Sequence, residues 1–221
     1  MDGYFTKKRI VNYASAEFTN ARYNLDLLAS EGIEPKGKVL DVGCGFGLLL
    51  KRFQDAGAEC YGTDISEYAI NVCKKYQGIT FKVSDCTEIP FDEKFDLITC
   101  FGVLGIVEKK KHLSFLRACE AHLKDNGILI ATAPNYERPF FMDVLAGRKN
   151  LYHNARTAGL WNDLLLWSGL SGKAYPVLRI PKSETVGRNI FLRLGFGDPI
   201  VIVAELPHGD KSDIHNLAQL V

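Results

Sequence analysis

Between residues 36 and 134, short apolar runs alternate with amphipathic stretches. Five runs rich in β-branched, leucine and aromatic residues predict buried strands, at 38–42, 59–64, 79–83, 95–100 and 127–133. Apolar residues recur at helical spacing over three intervening stretches, at 48–56, 66–76 and 109–123. Strands that alternate with helices in this way indicate βαβ units and a largely parallel sheet covered on both faces.

The flanking parts of the chain have a different pattern. Residues 14–30 predict a lead-in helix, and 161–167 a further helix followed by a strand at 174–180. Near the end, 189–194 and 199–205 flank the sequence Gly-Phe-Gly-Asp and predict a closing hairpin. Residues 184–194 also fit a helix, and periodicity alone does not decide between the two.

Composition narrows the class of protein. The chain has 221 residues, of which 47% are hydrophobic, and a formal net charge of +1. Such a balance argues against a protein that binds nucleic acid through a broad basic surface. The longest apolar stretch, 97–107, is too short to cross a bilayer, so we expect no membrane insertion. None of the six cysteines forms a Cys-x-x-Cys pair, which predicts reduced thiols, a cytoplasmic protein and no metal site.

The most informative motif is Asp41-Val42-Gly43-Cys44-Gly45-Phe46-Gly47, directly after one strand and before a helix. Its glycines permit a tight turn and let a ligand approach the backbone. A tight turn without a ligand would have the same glycines. However, Asp64, Asp85 and then Phe101-Gly102 follow the next three strands, so small or acidic residues end four strands in succession. A nucleoside lying across the sheet would need that row, with Asp64 on its ribose. The alternative role for Asp64, a helix N-cap, is better filled by Ser66.

The spacing of the glycines distinguishes among nucleoside ligands. Gly43, Gly45 and Gly47 form G-x-G-x-G, whereas a dinucleotide turn requires G-x-G-x-x-G, and position 48 is leucine. The carboxylate of Asp41 would oppose a pyrophosphate and favour a cationic ligand. The sequence also contains no phosphate-binding G-x-x-x-x-G-K-[ST] element.

The run Asp41–Gly47 resembles motif I of class I S-adenosylmethionine-dependent methyltransferases. Four further segments resemble the motifs that follow it in that family, in the same order, at residues 61–66, 84–91, 95–98 and 122–129. The likeness covers 36–134 and is closest to the small-molecule, ubiquinone-biosynthesis-like branch (type 11). One departure is clear, because Val107-Glu108-Lys109 stands where that branch usually has a histidine.

The resemblance implies S-adenosylmethionine as cofactor and S-adenosylhomocysteine as product. It places Asp41 and the glycine turn on the methionine part, Asp64 on the ribose and Asp85 on the adenine amino group. It further implies that Ile65 packs on the adenine, that the Cys86 backbone N–H binds it, and that Phe101 and Gly102 lie near the sulfonium. The complete implied cofactor set is Asp41, Gly43, Cys44, Gly45, Gly47, Asp64, Ile65, Asp85, Cys86, Phe101 and Gly102.

The resemblance also implies an architecture. We expect an α/β, Rossmann-like, doubly wound and mostly parallel seven-stranded sheet, with helices on both faces and a helical lid region. A single domain would comprise a lead-in helix or cap, a cofactor-binding core, a variable acceptor-site region, closing strands and a polar tail. The corresponding ranges are 1–35, 36–134, 135–185, 186–206 and 207–221.

The sequence says less about the methyl acceptor than about the cofactor. We expect a small-molecule acceptor and favour O-methylation over N- or C-methylation, for which a general base helps. His153 and Tyr136, in the variable region, are the preferred catalytic candidates, while His112 is expected to be a solvated helix residue and His122 a packing residue. Trp161 and Trp167 are expected to anchor helices on the sheet. Two alternatives stay open: a non-catalytic S-adenosylmethionine-binding sensor or scaffold, and, less favoured, an NAD(P)-dependent oxidoreductase.

Overall fold

A computed structural model of the chain describes residues 21–135, 154–176 and 200–207. Within these described residues there are seven strands: β1 Lys38–Val42, β2 Glu59–Asp64, β3 Ile79–Val83, β4 Phe95–Cys100, β5 Leu123–Ala133, β6 Ser171–Pro176 and β7 Ile200–Glu205. The helices are α1 at 21–30, α2 Leu48–Asp55, α3 Glu67–Cys73, α4 His112–His122 and α5 Ala158–Ser168. A 3₁₀ turn, Lys109–Lys111, precedes α4.

The seven strands form one sheet in the order β3-β2-β1-β4-β5-β7-β6. The pairs among β1 to β5 are parallel, and β7 lies antiparallel between β5 and β6. The prediction of a mostly parallel, seven-stranded sheet is therefore confirmed. The chain winds outward in both directions from β1 and β4, so the strand order reverses between them. In open α/β sheets, ligands bind at the carboxyl ends of the strands at such a reversal.

Helices cover both faces of the sheet, as predicted. On one face α1 and α2 bury Leu28, Leu50 and Phe53 in one cluster. On the other, α4 and α5 bury Phe115 and Trp161 in a second cluster. Burial of these large side chains supplies most of the driving force that fixes the helices on the sheet.

Local signals set several helix ends. The Ser66 hydroxyl accepts a hydrogen bond from Ala69 N at 3.2 Å and caps α3, as the sequence predicts. The Thr157 hydroxyl caps α5 in the same way, accepting from Leu160 N at 3.2 Å. Both caps satisfy an amide that would otherwise lack a partner at a helix start.

Several predicted boundaries need correction. The β5 strand begins at Leu123 rather than at residue 127, because α4 ends at His122 and Leu123 enters the core immediately. The β6 strand begins three residues earlier than predicted, at Ser171. The predicted hairpin partner, 189–194, lies outside the described residues, whereas β7 pairs with β5 and β6. The predicted domain boundaries remain predictions.

The two tryptophans of α5 differ. Trp161 is fully buried, as expected of a helix anchor, whereas Trp167 is 59% exposed, contrary to the expectation. Over the parts of the chain that the structure describes, no helix is long and apolar enough to cross a membrane. Within the same parts, no three His, Cys, Asp or Glu side chains come together as a potential metal site. All six cysteines are free and buried.

Candidate cofactor site

The glycine turn lies at the carboxyl end of β1, beside the reversal of strand order. Gly43, Gly45 and Gly47 have φ values of +80°, +54° and +76°, a region that residues with a Cβ rarely adopt. The turn is fixed to β2 because Gly43 N and Cys44 N donate to Thr63 O at 2.7 and 2.9 Å. The backbone therefore needs glycines at these positions before any ligand is considered.

Asp64, at the end of β2, is held against this turn. Its Oδ2 accepts from Gly45 N at 3.0 Å, and its Oδ1 accepts from Ser66 N at 2.8 Å. The predicted ribose-binding acid and the predicted methionine-binding turn are thus in direct contact, although they are 19 residues apart in sequence. Ile65, the predicted adenine contact, is 67% exposed beside them.

Asp41 lies beneath the turn and is almost completely buried. Its Oδ1 accepts from the Thr99 hydroxyl at 2.6 Å, and Thr99 on β4 is also buried. Sequence reasoning missed Thr99; the only available signal was that it is, with Asp96, one of two polar residues in β4. A buried carboxylate of this kind favours a positive charge nearby, as expected for a site that takes a sulfonium.

Asp85 follows β3 and is bound by two residues. Its Oδ1 accepts from the amide and hydroxyl of Thr87 at 3.0 and 2.8 Å, and its Oδ2 accepts from Lys111 Nζ at 2.8 Å. The hydrogen bond from Lys111, with those from Thr87, lowers the pKa of Asp85 to about 2. Lys111 was not predicted to be part of the site, because its contact joins residues 26 positions apart. Cys86, next to Asp85, is buried, and burial raises the pKa of its thiol to about 12.

The loop after β4 completes the site. Gly102 has a φ of +74°, and its N–H donates to the Thr132 hydroxyl at 3.1 Å, so this loop is tied to β5. A Cβ placed on Gly102 would meet no atom within 4 Å, so open space adjoins the backbone here. Phe101, just before it, is half-buried. The predicted cofactor residues therefore lie together along the carboxyl ends of β1 to β4.

The residues considered as general bases do not lie together as the predicted cofactor residues do. Tyr136 and His153 lie outside the described residues, so their catalytic roles stay predictions. His122 ends α4 next to Leu123, which pairs with Phe95 at the start of β4. His122 is therefore at the opposite edge of the sheet from the glycine turn, and its Nδ1 contacts Ala118 O at 2.8 Å within the helix.

His112 is buried, so the expectation of a solvated helix residue is wrong. Arg156 Nε donates to its Nδ1 at 3.0 Å, and its Nε2 therefore carries the hydrogen and donates to Val107 O at 3.1 Å. Burial, together with the positive charge of Arg156, lowers the pKa of His112 to about 4. Both ring nitrogens are engaged, so His112 is not placed to act as a general base. Its helical spacing from the apolar Leu116 and Cys119 was the signal that could have identified it as a core residue.

Comparison with known proteins supports this description. A family profile described as "Methyltransferase domain" matches residues 39–127. A ubiquinone biosynthesis O-methyltransferase of Actinobacillus pleuropneumoniae serotype 7 is 35% identical over 121 residues, 50% of this chain and 51% of its own. The corresponding enzyme of Haemophilus ducreyi is 31% identical over 141 residues, 59% of this chain and 58% of its own. The chain thus matches between half and three-fifths of the length of these curated relatives.

Solved structures share the fold. A protein of Pyrococcus horikoshii OT3 superposes with a TM-score of 0.63 and 18% identity, covering 86% of this chain and 92% of its own. Magnesium protoporphyrin IX methyltransferase from Synechocystis PCC 6803, with bound S-adenosylhomocysteine, has a TM-score of 0.59 and 20% identity, covering 86% and 83%. At these identities the likeness establishes the fold alone.

The fold is that of Rossmann-like methyltransferases. It is defined by the order of the strands in the sheet, by the glycine turn and by the acid after β2. Over residues 39–127 the chain is therefore similar to the methyltransferase domain family, as the sequence motifs predict. The predicted resemblance to the S-adenosylmethionine-dependent methyltransferases is confirmed over that domain.

Proposed function

We propose that this chain transfers a methyl group from S-adenosylmethionine to a hydroxyl oxygen of a small-molecule acceptor. The observation that carries the proposal is the Asp64 carboxylate bound to Gly45 N of the turn, at the reversal of strand order. This contact joins the two parts of the site that a nucleoside with a cationic tail requires. O-methylation is favoured because the relatives that are 31–35% identical are named O-methyltransferases.

The residues present fit the cofactor. The glycine turn would hold the methionine part, the Asp64 carboxylate the ribose hydroxyls and Asp85 the adenine amino group. The buried Asp41 suits a positive charge, and open space adjoins Gly102. When bound, S-adenosylmethionine supplies the activated methyl group. The chain's own contribution is then to orient the acceptor oxygen and exclude water, which can account for much of the rate enhancement.

The first test is calorimetric titration with S-adenosylhomocysteine, with NAD as the competing ligand. We expect micromolar binding of S-adenosylhomocysteine, and a loss of at least tenfold in Asp64→Asn. The matched control is Asp163→Asn, an exposed carboxylate on α5, which should bind like the wild type. Binding of NAD in place of S-adenosylhomocysteine would contradict the proposal and favour an oxidoreductase.

The second test is transfer of a labelled methyl group to a panel of hydroxylated aromatic compounds, including catechol and 3,4-dihydroxybenzoate. We expect an O-methylated product, identified by mass spectrometry, from at least one member. Binding of S-adenosylhomocysteine without any transfer, across this panel and a metabolite extract, would instead support a non-catalytic sensor or scaffold.

We also propose His153 and Tyr136 as the residues that help remove the acceptor proton. Both follow β5 in the sequence, in the part of the chain where an acceptor site is expected. His153→Ala and Tyr136→Phe should lower the rate of transfer and leave the affinity for S-adenosylhomocysteine unchanged. A normal rate in both variants would remove them from the mechanism.

A further inference from the structure

Residues 154–156 bind the stretch between β4 and α4 at three points. Asn154 Nδ2 donates to Gly105 O at 3.3 Å. Arg156 Nη2 donates to Lys109 O at 2.9 Å, and its Nε donates to His112 Nδ1 at 3.0 Å. Arg156 also forms an isolated β-bridge with Asn135, two residues beyond β5. The 154–156 segment therefore lies beside the end of β5 and contacts the neighbouring stretch at Gly105, Lys109 and His112.

The other side of that loop, residues 101–107, contacts the glycine turn. A Cβ added to Gly43 would come within 2.1 Å of Val103 Cγ2, so the valine packs directly on the turn. Gly102, one residue earlier, is the position beside open space. The loop thus lies between the cofactor turn and the 154–156 segment, and it exposes Ile106, which is 55% accessible. Movement of the 154–156 segment would be transmitted to the surface that faces the site.

His112, to which Arg156 donates a hydrogen bond, is itself held in place by its neighbours. Its ring stacks on Trp161, with 4.7 Å between ring centroids and 21° between planes, and both side chains are fully buried. Since Nε2 donates to Val107 O, Nδ1 is fixed as an acceptor for Arg156. A guanidinium can donate to His112 and to Lys109 O simultaneously in one plane, which a lysine cannot reproduce.

We propose that Asn154 and Arg156 are positioning residues that hold the 101–107 loop in the geometry required for the acceptor. The inference rests on the proposed function, since it assigns to the loop the acceptor side of a methyl-transfer site. The contact expected for the ribose, at Asp64, comes from the end of β2, and Asp85 is held by Thr87 as well as by Lys111. Weakening the contacts of the 154–156 segment should therefore lower the rate of methyl transfer far more than it lowers the affinity for the cofactor.

The test compares Arg156→Met and Arg156→Lys with Arg117→Met, an exposed arginine on α4 that serves as control. In the presence of saturating S-adenosylhomocysteine, hydrogen–deuterium exchange should accelerate at least tenfold in residues 101–112 of Arg156→Met. With the hydroxylated aromatic that the wild type methylates fastest, kcat/KM should fall at least tenfold. The Kd of S-adenosylhomocysteine should rise by a clearly smaller factor than kcat/KM falls. Arg156→Lys should fall between the wild type and Arg156→Met, and the control should match the wild type.

Asn154→Ala, which removes only the contact with Gly105, provides a milder variant if Arg156→Met does not fold. Unchanged exchange in residues 101–112 of a folded variant would overturn the inference. A rise in Kd by the same factor as the fall in kcat/KM would also overturn it, since the role would then be in cofactor binding. Absence of S-adenosylhomocysteine binding by the wild type would refute the proposed function and the acceptor-side role. The exchange comparison would still determine whether Arg156 holds the loop.

Discussion

Acidification is predicted to destabilise the fold through His112, in a pH range above the pKa of Asp85. The imidazole is fully buried, stacks on Trp161 and is paired with Arg156 as a neutral acceptor. Burial is the main reason why its pKa falls from 6.5 to about 4, and the charges of Arg156 and Lys109 add to the effect. Because the folded state resists protonation, the unfolded chain binds this proton first as the pH falls.

The two pKa values of His112 determine whether acid stabilises or destabilises the fold, and over which pH range. The contribution of His112 to stability is complete above pH 6.5, declines as the pH falls toward 4, and stays constant below that. A pKa difference of this size corresponds to about 3 kcal/mol in total, of which about 2 kcal/mol is lost between pH 7 and 4.5. Asp85, with its pKa lowered to about 2, affects stability only below its usual value of 3.8, so the two windows barely overlap.

The assay is urea unfolding at pH 7.0, 6.0, 5.0 and 4.5, on the wild type and on His112→Gln. Glutamine cannot titrate, so it removes the pH-dependent part while keeping a neutral polar side chain. We expect His112→Gln to be less stable at pH 7, and its free energy of unfolding to fall less steeply with pH. The difference between the two slopes should amount to about 2 kcal/mol over this range. Parallel curves would refute the argument, since they would mean that His112 titrates alike in both states.

Three further predictions concern single substitutions. Gly43→Ala, which would place a methyl group 2.1 Å from a valine side chain at a φ of +80°, should raise the Kd of S-adenosylhomocysteine at least tenfold in calorimetry. Gly57→Ala, with positive φ but nothing within 4 Å, should leave that Kd unchanged and controls for backbone strain. Lys111→Met should raise the pKa of Asp85 from about 2 toward 3.8, measured by NMR titration of its carboxyl carbon, and an unchanged pKa would contradict the assigned ion pair. Gly62→Ala should cost about 1–3 kcal/mol in urea unfolding, because three side chains lie within 3.0 Å of the added methyl group; a cost near zero would show that they repack freely.

Those parts of the fold that depend on local signals were predictable. The first four strands begin and end at the predicted residues, since each is a short run with β-branched or aromatic residues between segments of different pattern. The start of α3 followed from Ser66, whose cap is made within four residues. By contrast, the position of β7 between β5 and β6 depends on pairing with strands distant in sequence, and no local pattern encodes that choice.

That the predicted cofactor residues lie together was predictable for a related reason. Its residues follow consecutive parallel strands, and the topology brings the ends of those strands to one edge whatever the details of packing. The contacts that we propose for the acceptor side join side chains distant in sequence, such as Asn154 with Gly105, 49 positions apart. His112 belongs to the same class, because its burial requires Trp161 from a later helix. The sequence motif therefore predicts the reaction class that we propose, while the contacts of residues 154–156 with the loop after β4 are where the choice of acceptor should be sought.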